Sequence, residues 1–204
     1  MTLFDSMQPW RFSIFLRALP TLLASLGLAG FFLTKYATWM LPVVRHALGW
    51  WSPQFDVLDV QVLSRGVDTV IEAALMTREH FVFYGHVIPS GGIITTSTLA
   101  GHMLVHVVLL TVFLAAWPAR LRLEWVLRLA AAIPALFMLA WIDVPLIMTG
   151  SMHALILENV APTSLSTARL VLAMEFLENG GRYVLILLTG CLVVFLCRKA
   201  VRQS

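Results

Sequence analysis

An α-helical membrane protein with about four transmembrane helices, and a small external antiparallel β module between the first two, is the fold class this sequence predicts. Three observations predict it. Leu99 to Trp117, LAGHMLVHVVLLTVFLAAW, runs nineteen residues with no acid and no base other than two histidines. That length crosses about 30 Å of hydrocarbon. The whole chain is 59% apolar and 12% charged, with a mean hydropathy of +0.86, beyond what soluble domains tolerate. Between Phe55 and Thr96 the apolar period falls to two, which is a strand pattern.

Residues 1–35 read as an N-terminal tail and the first transmembrane helix. Its apolar run extends from Phe12 to Leu33, with Arg17 able to snorkel at one end and Lys35 marking the other. Leu28-Ala29-Gly30 mimics a signal-peptidase site, but Phe31, Phe32 and Leu33 carry the run past the usual h-region of about 7–15 residues. An uncleaved anchor is therefore expected.

Residues 36–98 form the external module. Tyr36 to Trp51, YATWMLPVVRHALGWW, holds Trp39, Trp50 and Trp51 and reads as a helix lying at the outer interface, where indoles partition. From Asp56 to Leu63, the residues Leu58, Val60 and Val62 alternate with Asp59 and Gln61. After a Ser64-Arg65-Gly66 turn, Val67, Thr69, Ile71, Ala73 and Leu75 alternate against Asp68 and Glu72, completing a hairpin. His80 to Ile88 (HFVFYGHVI), a Pro89-Ser90-Gly91-Gly92 turn and Ile93 to Thr96 add two short strands, for a sheet of three or four. So small a sheet should rest on the membrane or on a partner.

Residues 99–204 hold three further crossings and a basic tail. Leu99–Trp117 is ended by Pro118, and the next runs from Val126 to Ile147 through Pro134, Asp143 and Pro145. Tyr183 to Cys197 is short and borrows helix from Leu165 to Leu177 upstream. Lys and Arg in short segments stay cytoplasmic. Arg11 and Arg17, then Arg120, Arg122 and Arg128 in the loop between the second and third crossings, then Arg198, Lys199 and Arg202 place eight of fourteen basic residues on one side. Nine of eleven acids, all but Asp5 and Glu124, fall on the other. Both termini are thus expected on the cytoplasmic side. The net charge of +3 is spent on orientation and forms no basic face, so nucleic acid is excluded as a partner and the bilayer and a membrane protein remain. Cys191 and Cys197, at the inner end of the last run, read as reduced structural thiols.

Two constellations carry chemistry. His102 and His106 are four apart, the spacing with which one helix offers two imidazoles to a metal. His80, His86 or His153 would supply a third ligand, and Met148 and Met152 would favour copper, whereas haem ligation needs histidines on different helices. No HxxEH, CxxC or carboxylate-rich spacing accompanies the pair, which favours two histidines hydrogen-bonded inside a bundle and no cofactor. Glu175, Glu178 and Arg182 form the second, with Glu178 and Arg182 in the favoured acid-before-base order if helix runs through Gly180 and Gly181. They either clamp the last helix to Asp143 and Arg169 or line a polar cavity, and Asp143 has the same two readings. There is no GxSxG, phosphate loop, HExxH or acidic metal motif, so an enzyme is not expected. No internal repeat of the inverted-transporter kind is visible.

One anchor helix, an external segment of alternating strands, the step from Thr95-Thr96-Ser97-Thr98-Leu99 into LLTVFLAAWPARLRL, a third crossing, an amphipathic stretch and a last helix with a basic tail resemble the small membrane proteins encoded beside exosortases. The resemblance is one of layout over most of the chain. It implies a non-catalytic accessory or assembly subunit of a protein-sorting or polysaccharide-linked machine in a bacterial inner membrane, presenting its external module to a partner. Two alternatives stand beside it: a metal- or haem-binding redox subunit using His102 and His106, and a small transporter or channel around Asp143, Glu175, Glu178 and Arg182.

Overall fold

The computed structural model describes residues 9–119 and 121–203, so the expectations placed on Asp5 and Arg120 lie outside the described residues. Helix α1 (Pro9–Trp51) leads into strands β1 (Phe55–Arg65), β2 (Asp68–Thr77), β3 (Phe81–Phe83), β4 (His86–Ile88) and β5 (Ile93–Leu99). Helices α2 (Gly101–Ala116) and α3 (Arg122–Val160) follow, then a 3₁₀ turn at Pro162–Thr167, α4 (Arg169–Phe176), a wide turn at Leu177–Gly181 and α5 (Arg182–Gln203).

Two helical units, α3 and Arg169–Arg202, are long and apolar enough to cross a membrane, and the two limbs of α1 taken together make a third. That is the signature of a membrane protein. The fourth segment falls short as a helix: Leu99 ends β5, and the sixteen residues of α2 rise about 24 Å. Helix α1 bends by 69° between Leu28 and Gly30. Gly27 and Gly30 flank the bend, and small residues without a packed Cβ are where helices kink.

Past the bend, Ala37, Met40, Val44 and Leu48 recur at three- and four-residue spacing and are buried. They share one core with Val60, Ile71, Ala73 and Leu75 of the sheet and with Ala140, Val144, Met148 and Met152 of α3. The sheet thus rests on the second limb of α1 and on α3, its strand order β1-β2-β5 and wholly antiparallel. Arg65 pairs with Asp68 across a Gly66-Val67 turn, with Gly66 in the left-handed region at φ 65°. The register slips at a bulge between Val57 and Asp59. Consequently Leu58, expected on the apolar face with Val60 and Val62, is 43% exposed, and Val67, expected in the alternation, sits in the turn fully exposed. The short strands β3 and β4 form a separate hairpin beside the sheet, and its turn, Tyr84-Gly85, has both residues at positive φ. One face of this hairpin is held by Phe81 against Phe55 and by Phe83 against His153.

Helix α3 corrects the sequence reading most. It begins at Arg122 and continues through Pro134, Asp143 and Pro145 to Val160, thirteen residues beyond the expected end at Ile147. A proline removes one ladder hydrogen bond. Core packing carries this helix across both. Nineteen residues separate Arg122 from Trp141, about 28 Å or one hydrocarbon thickness. Trp141 sits at that level in a cluster with Trp50 and Trp51, at centroid distances of 5.1 and 6.1 Å. Beyond it, α3 backs the sheet: Thr96 Oγ1 donates to the Met148 carbonyl at 3.0 Å, and Ser52 and Thr149 hydroxyls meet at 3.1 Å. Gly150 lets α4 approach, because a Cβ there would stand 2.5 Å from Met174 Cβ and 2.8 Å from the Leu170 carbonyl oxygen. The upstream helix expected over Leu165–Leu177 is split into the 3₁₀ turn and α4.

Candidate functional site

Strand β5 passes into α2 within two residues, the Ala100 amide donating to the Thr69 carbonyl at 2.9 Å. That junction sets the first turns of α2, and with them His102 and His106, beside the sheet's end. His102 is half-buried and shares a hydrogen bond between Nδ1 and Thr98 Oγ1 at 3.2 Å. One turn on, His106 is fully buried, with Nε2 at 2.9 Å from Asp143 Oδ2 of α3, also fully buried. The two atoms are close without the alignment of a hydrogen bond, and His106 Nδ1 and Asp143 Oδ1 have no hydrogen-bond partner among the described residues. Taking two such polar side chains out of water carries a desolvation cost that their close approach partly offsets.

Arg182, the first residue of α5, completes the cluster. The helix does not run through the glycines: Gly180 stands at φ 111°, and no ion pair joins Glu178 to Arg182 among the described residues. Instead the Arg182 side chain is buried, with Nε donating to the Leu177 carbonyl at 3.3 Å and Nη2 left without a partner. Arg182, Asp143 and His106 all lie within electrostatic reach of His102. A pocket of about 370 Å³ opens here, lined by Leu99, His102, Val105, Glu178, Arg182 and Tyr183. Of the residues the sequence placed in a polar cavity or a clamp, Asp143 meets His106, whereas Glu178 and Arg182 line this pocket. Glu175 is exposed and outside it.

The expected third metal ligands do not join the pair. His80 accepts from the Ser90 amide at 3.2 Å, His86 is exposed on β4, His153 stacks on Phe83, and Met148 and Met152 lie in the sheet core. No group of three His, Cys, Asp or Glu among the described residues is placed to hold a metal ion.

A second polar cluster lies at the opposite end of α2. Arg128 belongs to α3 and is fully buried, two turns inside the helix, where the sequence reading put it in a loop. It pairs with Glu124 and donates to the carbonyls of Trp117 at 2.6 Å, Pro118 at 3.2 Å and Leu114 at 3.4 Å. Arg198 of α5 joins, with Nε at 3.2 Å from Glu124 and Nη2 at 2.9 Å from the Pro118 carbonyl. The last carbonyls of a helix have no partner within it and carry its negative dipole end, so two guanidiniums satisfy them and tie α2, α3 and α5 together. The signal for this was in the sequence: Glu124 and Arg128 are acid before base at four residues, and Arg128 is surrounded by Trp125, Val126, Leu127 and Leu129. Fifteen residues of α3 separate it from Asp143, about 22 Å.

No protein-family model, no curated protein and no solved structure matches this chain.

Proposed function

We propose that this chain is a non-catalytic accessory or assembly subunit of a bacterial inner-membrane machine of the exosortase-linked kind, holding its β module outside the membrane for a protein partner. Four crossings by α1, α2, α3 and α5, both termini cytoplasmic, would leave the arginine cluster at the inner face and the tryptophans Trp50, Trp51 and Trp141 at the outer one.

The observation that carries the reading is the β3–β4 hairpin. Phe81 and Phe83 anchor one of its faces, while the directly paired Val82 and Val87 on the other are 69% and 67% exposed. Tyr84 at the tip and Ile93 on β5 add exposed apolar surface to the same module. Apolar side chains held outward on a rigid, anchored hairpin suit a protein contact. Nothing of the kind is needed for the module's own stability.

Two measurements test this. Single cysteines at Asp68 and Glu158 should react with an impermeant maleimide in intact cells, and ones at Arg122 and Gln203 only after permeabilisation; labelling of position 122 in intact cells would overturn the topology. A photo-crosslinker at Tyr84 should then capture one discrete membrane-protein partner, and adding Val82→Asp with Val87→Asp should abolish that capture at unchanged abundance. Capture that persists in the double variant would refute the hairpin as the docking face.

A further inference from the structure

The pocket around Arg182 does not end at its polar residues. Val105 and Tyr183 also line a second cavity of about 380 Å³, bounded by Leu22, Leu26 and Gly30 of α1 and by Leu104, Val108 and Leu109 of α2. Each volume is in the range of small-ligand sites, about 300–1,000 Å³. One is charged and the other almost wholly apolar. A composite cavity with ionisable groups at one end and an apolar cleft between two membrane-facing helices at the other has the polarity profile of a lipid.

The charges indicate which lipid. Arg182 is only 4% exposed, yet its Nη2 has no partner, and a guanidinium buried without a counter-ion is costly. A phosphodiester oxygen fits this donor, because guanidinium presents forked N–H groups to phosphate. His102, on the same wall, supplies a second donor. Glu178 is exposed at the rim and makes no ion pair among the described residues, so a purely anionic headgroup would meet its repulsion. A headgroup with an ammonium beyond its phosphate would neutralise both.

We propose that this composite pocket binds a zwitterionic phospholipid, with its phosphodiester on Arg182 and His102, its ammonium at Glu178 and one acyl chain in the cleft between α1 and α2. The bound lipid would fill the cleft beside α2, the shortest of the four apolar segments, and seal it where the sheet joins the membrane domain. The proposal rests on the membrane reading above but is independent of the partner: failed topology labelling would remove the membrane reading, whereas the lipid test below leaves topology untouched.

The test is lipid titration of the purified full chain by native mass spectrometry, using dioleoylphosphatidylethanolamine, dioleoylphosphatidylglycerol, dioleoylglycerol and inorganic phosphate as separate probes. Phosphatidylethanolamine should bind at one site, at least tenfold tighter than dioleoylglycerol. Arg182→Gln should erase that preference, and Glu178→Gln should make the two phospholipids equal. Should Arg182→Gln fail to fold, Gly101→Phe decides: Gly101 lines the apolar cleft and a Cβ there meets no heavy atom within 4 Å, so the ring has the cleft to enter and should lower lipid binding at least tenfold. Equal binding of dioleoylglycerol would mean an apolar cleft alone. Tight binding of inorganic phosphate, unaffected by Gly101→Phe, would mean an anion site without a lipid. Either result overturns the proposal.

Discussion

Replacing Arg128 by methionine should destabilise the protein by on the order of 3–5 kcal/mol, the range seen when one partner of a buried ion pair is removed. Methionine keeps the apolar stem of the side chain, so most of the loss is that of the guanidinium and its partners. Two carbonyls at the end of α2, those of Leu114 and Trp117, lose this donor, while that of Pro118 keeps Arg198. Glu124 keeps Arg198 but loses the partner that is wholly inside the protein. Arg128→Lys should recover little, since a single ammonium cannot reach carboxylate and carbonyls together as a planar fork does. The double change Arg128→Met with Glu124→Gln should recover part of the loss, because it removes a buried carboxylate that has lost its Arg128 partner. Thermal unfolding of detergent-solubilised protein reads this directly, and a midpoint for Arg128→Met within about a degree of the parent would show that the cluster contributes no net stability.

Ile71→Asp should prevent the external module from folding, while Leu58→Asp should be tolerated. Ile71 is fully buried at the centre of β2, where it faces the core shared with α1 and α3. A carboxylate there has no partner and no water, and it also removes one of the largest side chains of that core. Leu58 is apolar and within one strand of it, but the bulge between Val57 and Asp59 turns Leu58 outward. Protease resistance of the module in spheroplasts, together with protein abundance, separates the two. If both substitutions are equally harmful, the bulge is absent and the strand keeps strict alternation through Leu58; if both are harmless, the segment is no sheet.

These two cases mark what pattern alone conveys and what it does not. The β1–β2 hairpin was legible because alternation on β2 is uninterrupted: Ile71, Ala73 and Leu75 all point to one face, as a period of two requires. The bulge was not, since two residues opposing one leaves no mark in a string of Val, Leu and Asp. Short apolar runs marked the helices, yet the true extent of α3 was hidden by Pro134 and Pro145, which stop helices in water but not one packed along its length. At the candidate site, the histidine spacing pointed to a helix face, and Asp143 stood out as a charge in an apolar run. That His106 meets Asp143 while His102 lines a pocket with Arg182 and Glu178 required the packing of separate helices. Gly180 decided the rest: its left-handed φ breaks the helix between Glu178 and Arg182, parting a pair that regular spacing would have joined.

The chain by itself determined its solvent and its elements. Apolar runs longer than about 18 residues cannot be hydrated, and a period of two or of 3.6 is a local property of neighbouring side chains. Which buried charges meet was decided only by the tertiary structure. A charge excluded from water must find a partner wherever the packing places one: Arg128 finds Glu124 and the end of α2, His106 finds Asp143 across thirty-six residues, and Arg182 keeps a donor unused beside a cavity. Such partners are distant in sequence because burial is a property of the assembled helices, and no local pattern encodes it.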